Sequence, residues 1–424
     1  MTMIYALILF AVTYVLMLTF TKYRPYIALG SAVVFIATGM LPFDQIFGAI
    51  DWNVLLMIAG TMGLVQLFID SRMPARLADM IMLKVPNVQM AAVALALFAG
   101  IISAFVDNVA TVLMVAPVAL AICKKLKTNP VPFIIGIAVS SNLQGAATLV
   151  GDTTAIMLGS YADMSFLDFF WYKGRPGIFF AVELGAIASA LILAWLFRRE
   201  KDSIEQRGEL TPVTDYVPTV LLVGMIALLI SASFIPVKPD ITNGLICVSL
   251  FIIGMVYTFA RTRSADAFLG PIKSIDFETI GLLFGLFLVI GGITNMGVVD
   301  AAAGLLARMG GGNVFVIYTV IVWASVLFSA LIDNIPYVAT MLPVVTGLAS
   351  TLGIDPTLLY FGLLSGATLG GNCTPIGASA NITGIGILRR EGYEVKTGDF
   401  CRIGIPFTLA AVIPAYIYFW LLYA

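Results

Sequence analysis

Histidine is absent from all 424 residues, and only 11% of the residues are charged. The first absence excludes an imidazole proton relay or a histidine metal site, so any proton chemistry falls to carboxylates. The second excludes an ordinary soluble domain, in which roughly a quarter of residues are charged. Four cysteines, Cys123, Cys247, Cys373 and Cys401, show no metal-ligand spacing, which leaves a soft-metal site only scattered thiols. The first twenty residues lack a basic leader and a small-residue cleavage site, so 4–20 reads as a retained span and not as a signal peptide. The longest polar stretch, Arg198 to Asp215, is too short to fold alone. Nothing in a net charge of −1 points to nucleic acid.

What the chain has is apolar length. Hydrophobic residues make up 60% of it and the mean hydropathy is +1.02, the signature of an integral membrane protein surrounded by lipid. Segments long enough for about 30 Å of hydrocarbon run over 4–20, 26–41 and 52–69. Region 90–121 is broken in its middle by Asp107–Asn108 and reads as a re-entrant helical hairpin with that pair at its tip. A span over 131–160 is interrupted at 142–145 and 151–154, and 176–197 closes the first half. The series then returns as spans 216–234, 241–259 and 277–296, a hairpin over 313–350, an interrupted span over 356–388, and a last span over 403–423.

The halves share residues as well as layout. At an offset of 226 positions (333 minus 107), Ser103, Ala104, Asp107, Asn108, Val112, Pro117 and Val118 meet identical residues at Ser329, Ala330, Asp333, Asn334, Val338, Pro343 and Val344. Gly145, Thr148 and Gly151 meet Gly371, Thr374 and Gly377 in the same register, which indicates internal duplication. The expected organisation is a first repeat over 1–198, a cytoplasmic linker over 199–215 and a second repeat over 216–424. Five crossings per half invert the second copy. With the N-terminus outside, every basic residue except Lys173, Arg175, Lys238 and Arg308 falls in a cytoplasmic loop, as the positive-inside rule requires. Both termini are then expected on the non-cytoplasmic side of the plasma membrane. The fold expected is all-α, with about ten transmembrane helices, two re-entrant hairpins and two broken helices in an inverted repeat.

Broken helices meeting near the midplane are where secondary transporters bind substrates and coupling ions, and ionised side chains at that depth are costly unless functional. Ser-Ala-x-x-Asp-Asn followed by Gly151–Asp152, and Ser329–Ala330–Leu331–Ile332–Asp333–Asn334–Ile335–Pro336 followed by Gly370–Gly371–Asn372–Cys373–Thr374–Pro375–Ile376–Gly377–Ala378–Ser379–Ala380–Asn381, resemble the ion transporter superfamily. The likeness is greatest to the branch of the melanosomal P protein and the arsenite permeases. NhaD-type sodium/proton antiporters are near, and citrate and divalent-anion/sodium symporters more distant. The resemblance implies a mobile transport domain, a homodimer, no cofactor beyond Na+ or H+ as coupling ion, and a small-molecule or ion substrate. It implies binding at Asp107, Asn108, Thr148, Gly151, Asp152 and Thr153, and at Asp333, Asn334, Asn372, Thr374, Gly377, Ser379 and Asn381, with sodium at Asp107, Asn108, Asp333 and Asn334. Ala155 stands where the P-protein pattern has Asn.

Two tip carboxylates plus Asp152, with no Lys or Arg expected in the membrane interior, repel anions until they are protonated or filled by cations. The function expected is a proton- or sodium-coupled secondary transporter of a small anion or oxyanion, such as arsenite, antimonite or a citrate-like carboxylate. The alternative is a sodium/proton antiporter. An ion channel or an intramembrane aspartyl protease accounts for less, since a protease has no reason to duplicate Asp–Asn tips. It is not read as an enzyme. Each Asp also reads as a helix cap, Glu183 as interfacial or locally paired, and Cys373 as a small packing residue.

Overall fold

The computed structural model describes residues 2–126, 128–198 and 210–424. Lys127 and residues 199–209, most of the expected linker, lie outside the described residues. The first half opens with α1 (Thr2–Thr19) and α2 (Arg24–Ala37), which meet at a bend of 117°. One turn, α3 (Ile46–Ala49), leads into α4 (Trp52–Asp70), followed by the short α5 (Met73–Met82). Helices α6 (Val88–Ser103) and α7 (Asn108–Leu126) form the first hairpin, α8 (Val131–Gly145) and α9 (Thr153–Tyr161) the first broken span, and α10 (Ile178–Leu196) the last helix of the half.

The second half runs through α11 (Val217–Ser233), α12 (Thr242–Thr262), α13 (Ala265–Lys273), α14 (Phe277–Asn295) and α15 (Val298–Met309). The second hairpin is α16 (Val314–Ser329) with α17 (Asn334–Leu352), the second broken span α18 (Thr357–Gly370) with α19 (Ser379–Arg390), and the chain closes with α20 (Thr397–Tyr423). Among the described residues the strands are two residues each, β1 (Trp171–Tyr172) and β2 (Arg175–Pro176), paired antiparallel. Among the described residues, seven single helices are long and apolar enough to cross a membrane, and α1 with α2 and α15 with α16 make two further bent pairs that pass the same test.

The polar residues at helix starts act locally as the sequence suggests. Asp51 accepts from the Val54 N–H at 3.0 Å and Asp276 from the Thr279 N–H at 2.9 Å, so α4 and its counterpart α14 begin alike. Asn87 and Asn313 cap α6 and α16 in the same way. Such caps satisfy N–H groups that would otherwise be orphaned in an apolar medium. The interruptions are narrower than the sequence suggests. Asn142–Gly145 remains helical within α8, and the break begins at Ala146. The sequence also leaves α5, α13 and α15 as loops, whereas they fold as short helices with one apolar face, because 3.6-residue spacing of apolar side chains suits an interface better than a span.

Packing between the halves is reciprocal. Helix α4 lies on α12 as α14 lies on α2, α6 packs on α8 as α16 packs on α18, and α10 packs on α20. The N-terminal end of α4, at Trp52–Asn53, lines a vestibule of about 1780 Å³, whereas its C-terminal end, at Gln66 and Ile69, lines a cavity of about 310 Å³. Counterpart α14 runs the other way, with Thr279 at the small cavity and Thr294–Asn295 at the vestibule. Arg175, just before α10, likewise donates to the carbonyl of Leu422 at the end of α20. Repeat-related helices therefore run antiparallel, the geometry of an inverted repeat. Ion pairs join the two halves. Lys124 pairs with Glu391 at 2.6 Å and Lys173 with Asp355 at 2.5 Å.

Candidate functional site

In each hairpin the tip Asp stands immediately before the second helix, whose first N–H groups need acceptors, and its carboxylate supplies them. Asp107 Oδ2 accepts from the N–H groups of Val109 at 3.0 Å and Ala110 at 3.2 Å. Asp333 Oδ1 accepts from the Ile335 N–H at 3.3 Å. Capping orients these carboxylates without using up their oxygens.

The tip asparagines point to one residue. Asn108 Nδ2 donates to Asp152 Oδ1 at 3.3 Å and to Asn142 Oδ1 at 3.1 Å. Asn334 Nδ2 donates to Asp152 Oδ2 at 3.5 Å. Asp152 caps α9 through the Thr153 N–H at 2.8 Å and accepts from the Thr154 hydroxyl at 2.7 Å. One buried carboxylate thus joins both hairpin tips, and among the described residues no Lys or Arg pairs with it. Its repeat counterpart is Ala378, so the pseudo-symmetry is broken at the centre.

Asn142 marks where the two copies meet. Its Nδ2 donates to the carbonyl of its own repeat counterpart, Thr368, at 2.6 Å, and to Asn372 Oδ1 at 3.0 Å. The hydroxyls of Thr154 and Thr368 are 2.9 Å apart. Asn372 Nδ2 and Asn381 Oδ1 are buried without a hydrogen-bond partner among the described residues.

The remaining expected residues brace the breaks instead of lining the cavity. Thr148 donates to the Ala104 carbonyl, and Thr374, 226 positions on, donates to the Ala330 carbonyl. These bonds tie each unwound segment to the hairpin beside it. Thr374→Val should lower stability by about 1–3 kcal/mol, since a buried carbonyl loses its donor, and a thermal melt of the detergent-solubilised protein would read this directly. Gly151 and Gly377 sit where backbones touch, and Asn381 Nδ2 donates to the carbonyls of Gly371 and Thr374, both at 3.0 Å.

Asp107, Asn108, Asp152, Thr153, Asn334 and Ser379 line the small cavity together with Gln66, Asp276 and Thr279. Its polar lining is carboxylate, amide and hydroxyl, with no Lys or Arg among the described residues. Asp333 stands beside it, reached through Ser379, whose hydroxyl donates to Asp333 Oδ2 at 3.2 Å. One expectation is corrected here. The sequence places no Lys or Arg beside the tips, yet Arg24, at the start of α2, pairs with Asp333 through Nη1 at 3.3 Å, and both side chains are largely buried, 15% and 11% exposed. A cation therefore does reach the site region, because the bend after α1 turns the start of α2 onto the second tip. Sequence reading also missed Asp276 and Thr279, whose position before a span looks like that of any helix cap. Among the described residues, no group of three His, Cys, Asp or Glu is placed to hold a metal ion.

Two hairpin tips meeting two broken helices around a polar cavity, in a polytopic helical chain, are the construction of a membrane transporter. The chain belongs to the citrate transporter family, whose profile matches residues 6–363 and again 244–424. It is 30% identical to "Uncharacterized transporter MT2759" of Mycobacterium tuberculosis over 99% of both chains. It is 29% identical to the P protein of Homo sapiens, covering 74% of this chain and 46% of that one. The crystal structure of the Alcanivorax borkumensis YdaH transporter has a similar fold, with a TM-score of 0.62 at 14% identity over 95% of this chain and 97% of that chain. The resemblance read from the two motifs is thus borne out.

Proposed function

We propose that this transporter is a secondary carrier that moves a small carboxylate or oxyanion together with protons or sodium ions. In this reading it acts in the plasma membrane as a homodimer, with both termini on the non-cytoplasmic side. The observation that carries the reading is the cavity of about 310 Å³ lined by Asp107, Asp152 and Asp276, with no Lys or Arg in its lining among the described residues. At ~5 Å and an effective dielectric of ~20, each carboxylate opposes an entering anionic charge by about 3 kcal/mol. Uptake of a proton or sodium ion removes that opposition, so anion entry and cation entry become one event. The volume lies at the lower end of small-ligand sites, and the family description favours a citrate-like carboxylate.

The test is uptake of labelled citrate and of arsenite into proteoliposomes under imposed pH and sodium gradients. Uptake of one of them should rise with an inward gradient and collapse when an ionophore dissipates it. Gradient-independent flux with unitary currents would overturn the carrier reading. A second reading, sodium/proton antiport, draws on the hard oxygen donors of the same lining, which suit sodium. A sodium pulse that moves protons in vesicles containing no organic anion would favour it.

A further inference from the structure

The two tips carry the same Asp–Asn pair, yet their surroundings differ. Asp107 lines the cavity, and among the described residues no Lys or Arg pairs with it. Asp333 is not part of that lining. Its Oδ2 is held between Arg24 Nη1 at 3.3 Å and the Ser379 hydroxyl at 3.2 Å, while Oδ1 caps α17. Arg24 is itself fixed, because its Nε donates to the Met17 carbonyl at 3.2 Å. Beside it, the Tyr14 hydroxyl donates to the Pro336 carbonyl at 2.7 Å and meets the Thr340 hydroxyl. The elbow between α1 and α2 thus grips the first turn of α17 at two places. At the corresponding elbow of the second half, Lys238 donates to the Ala232 carbonyl at 3.1 Å and lines the vestibule instead.

We propose that Arg24 is a positioning residue that locks Asp333 in an ion pair closed to the cavity, so that Asp107 is the only tip carboxylate that exchanges the coupling cation. This rests on the cation-coupled reading above. A sodium ion or proton taken up by Asp333 would have to displace Arg24, leaving a largely buried guanidinium unpaired, which is strongly unfavourable. Asp107 faces no such competition. Two identical sequence motifs therefore perform different tasks, one exchanging ions and the other anchoring the hairpin to α1 and α2.

The test is labelling of the purified full-length protein with dicyclohexylcarbodiimide, which attacks carboxyl groups free to take a proton, followed by peptide mass spectrometry. In the wild type, adducts on Asp107 should exceed those on Asp333 by about tenfold. Arg24→Gln should raise Asp333 labelling to the level of Asp107, and Arg24→Lys, which keeps the charge, should preserve protection. Equal labelling of the two tips in the wild type overturns the proposal. So does an Arg24→Gln protein that elutes as a monodisperse peak with Asp333 still protected. If Arg24→Gln aggregates, Arg24→Lys decides, since loss of protection there overturns the role of the charge and retention supports it. No substrate is present in this assay, so a wrong reading of the transported solute leaves its outcome untouched, whereas failed uptake with the expected labelling pattern indicts the transport reading alone.

Discussion

Asp152→Asn should reduce gradient-driven uptake to background while leaving a protein that still inserts and purifies. Asp152 receives four donors, from Asn108, Asn334, the Thr153 N–H and Thr154. An amide presents one acceptor oxygen where the carboxylate presents two, and on the Oδ2 side its NH2 group faces the Asn334 amide nitrogen, which cannot accept. Losing about two charge-assisted hydrogen bonds costs on the order of 3–6 kcal/mol, and the loss falls on the contact that joins the two hairpins. Removing the ionisable group also removes the one carboxylate that both tip asparagines touch, so a cation bound there would no longer be sensed by both halves. Flux under a pH or sodium gradient, compared with binding of the same solute without a gradient, separates the effects. A variant that keeps wild-type coupled uptake would reduce Asp152 to a helix cap. Asp107→Asn should likewise abolish coupling. Asp333→Asn should behave differently, lowering thermal stability first, because it strands Arg24.

Gly377→Ala should give no folded protein. A Cβ at this position would lie 2.5 Å from the Gly371 carbonyl oxygen and 2.6 Å from the Ser329 carbonyl oxygen. Both are backbone atoms of the segments that the break brings together, so neither can rotate away. Gly151 occupies the matching place, with the Gly145 oxygen at 2.6 Å and the Ser103 oxygen at 2.7 Å from its absent Cβ. Overpacking usually costs about 1–3 kcal/mol where side chains can shift, and a clash confined between backbones exceeds that range. Fluorescence size-exclusion of a tagged variant checks the outcome, and a monodisperse peak at wild-type yield would show that the break can open. A serine at either glycine should fail for the same reason.

Much of this arrangement was legible in the chain because a bilayer leaves few options. An apolar run of 17 to 20 residues has to span, and a polar pair inside one has to turn or line a cavity. The predicted spans therefore fall within a few residues of the observed helices, as for 52–69 against Trp52–Asp70 and 277–296 against Phe277–Asn295. The tips were found from Asp107–Asn108 and Asp333–Asn334, and the repeat told which segments face them. The short helices α5, α13 and α15 escaped notice, since half-apolar stretches between spans have the composition of loops. Thr148, Thr374 and Asn381, expected among the ligands, donate to backbone carbonyls, and Gly151 and Gly377 lie where backbones touch. Their residue types suit both tasks, and only their partners distinguish them.

The sequence by itself determined the membrane class, the duplicated layout and the position of both hairpin tips, because each follows from local composition and from comparing the chain with itself. The tertiary structure decided how the charges are shared. Arg24 meets Asp333 across 309 positions, and Asp152 meets Asn334 across 182. No local pattern announces either pairing, for each arises only when the inverted halves interlock. That packing makes one of two identical tips an anchor and leaves the other open to the cavity.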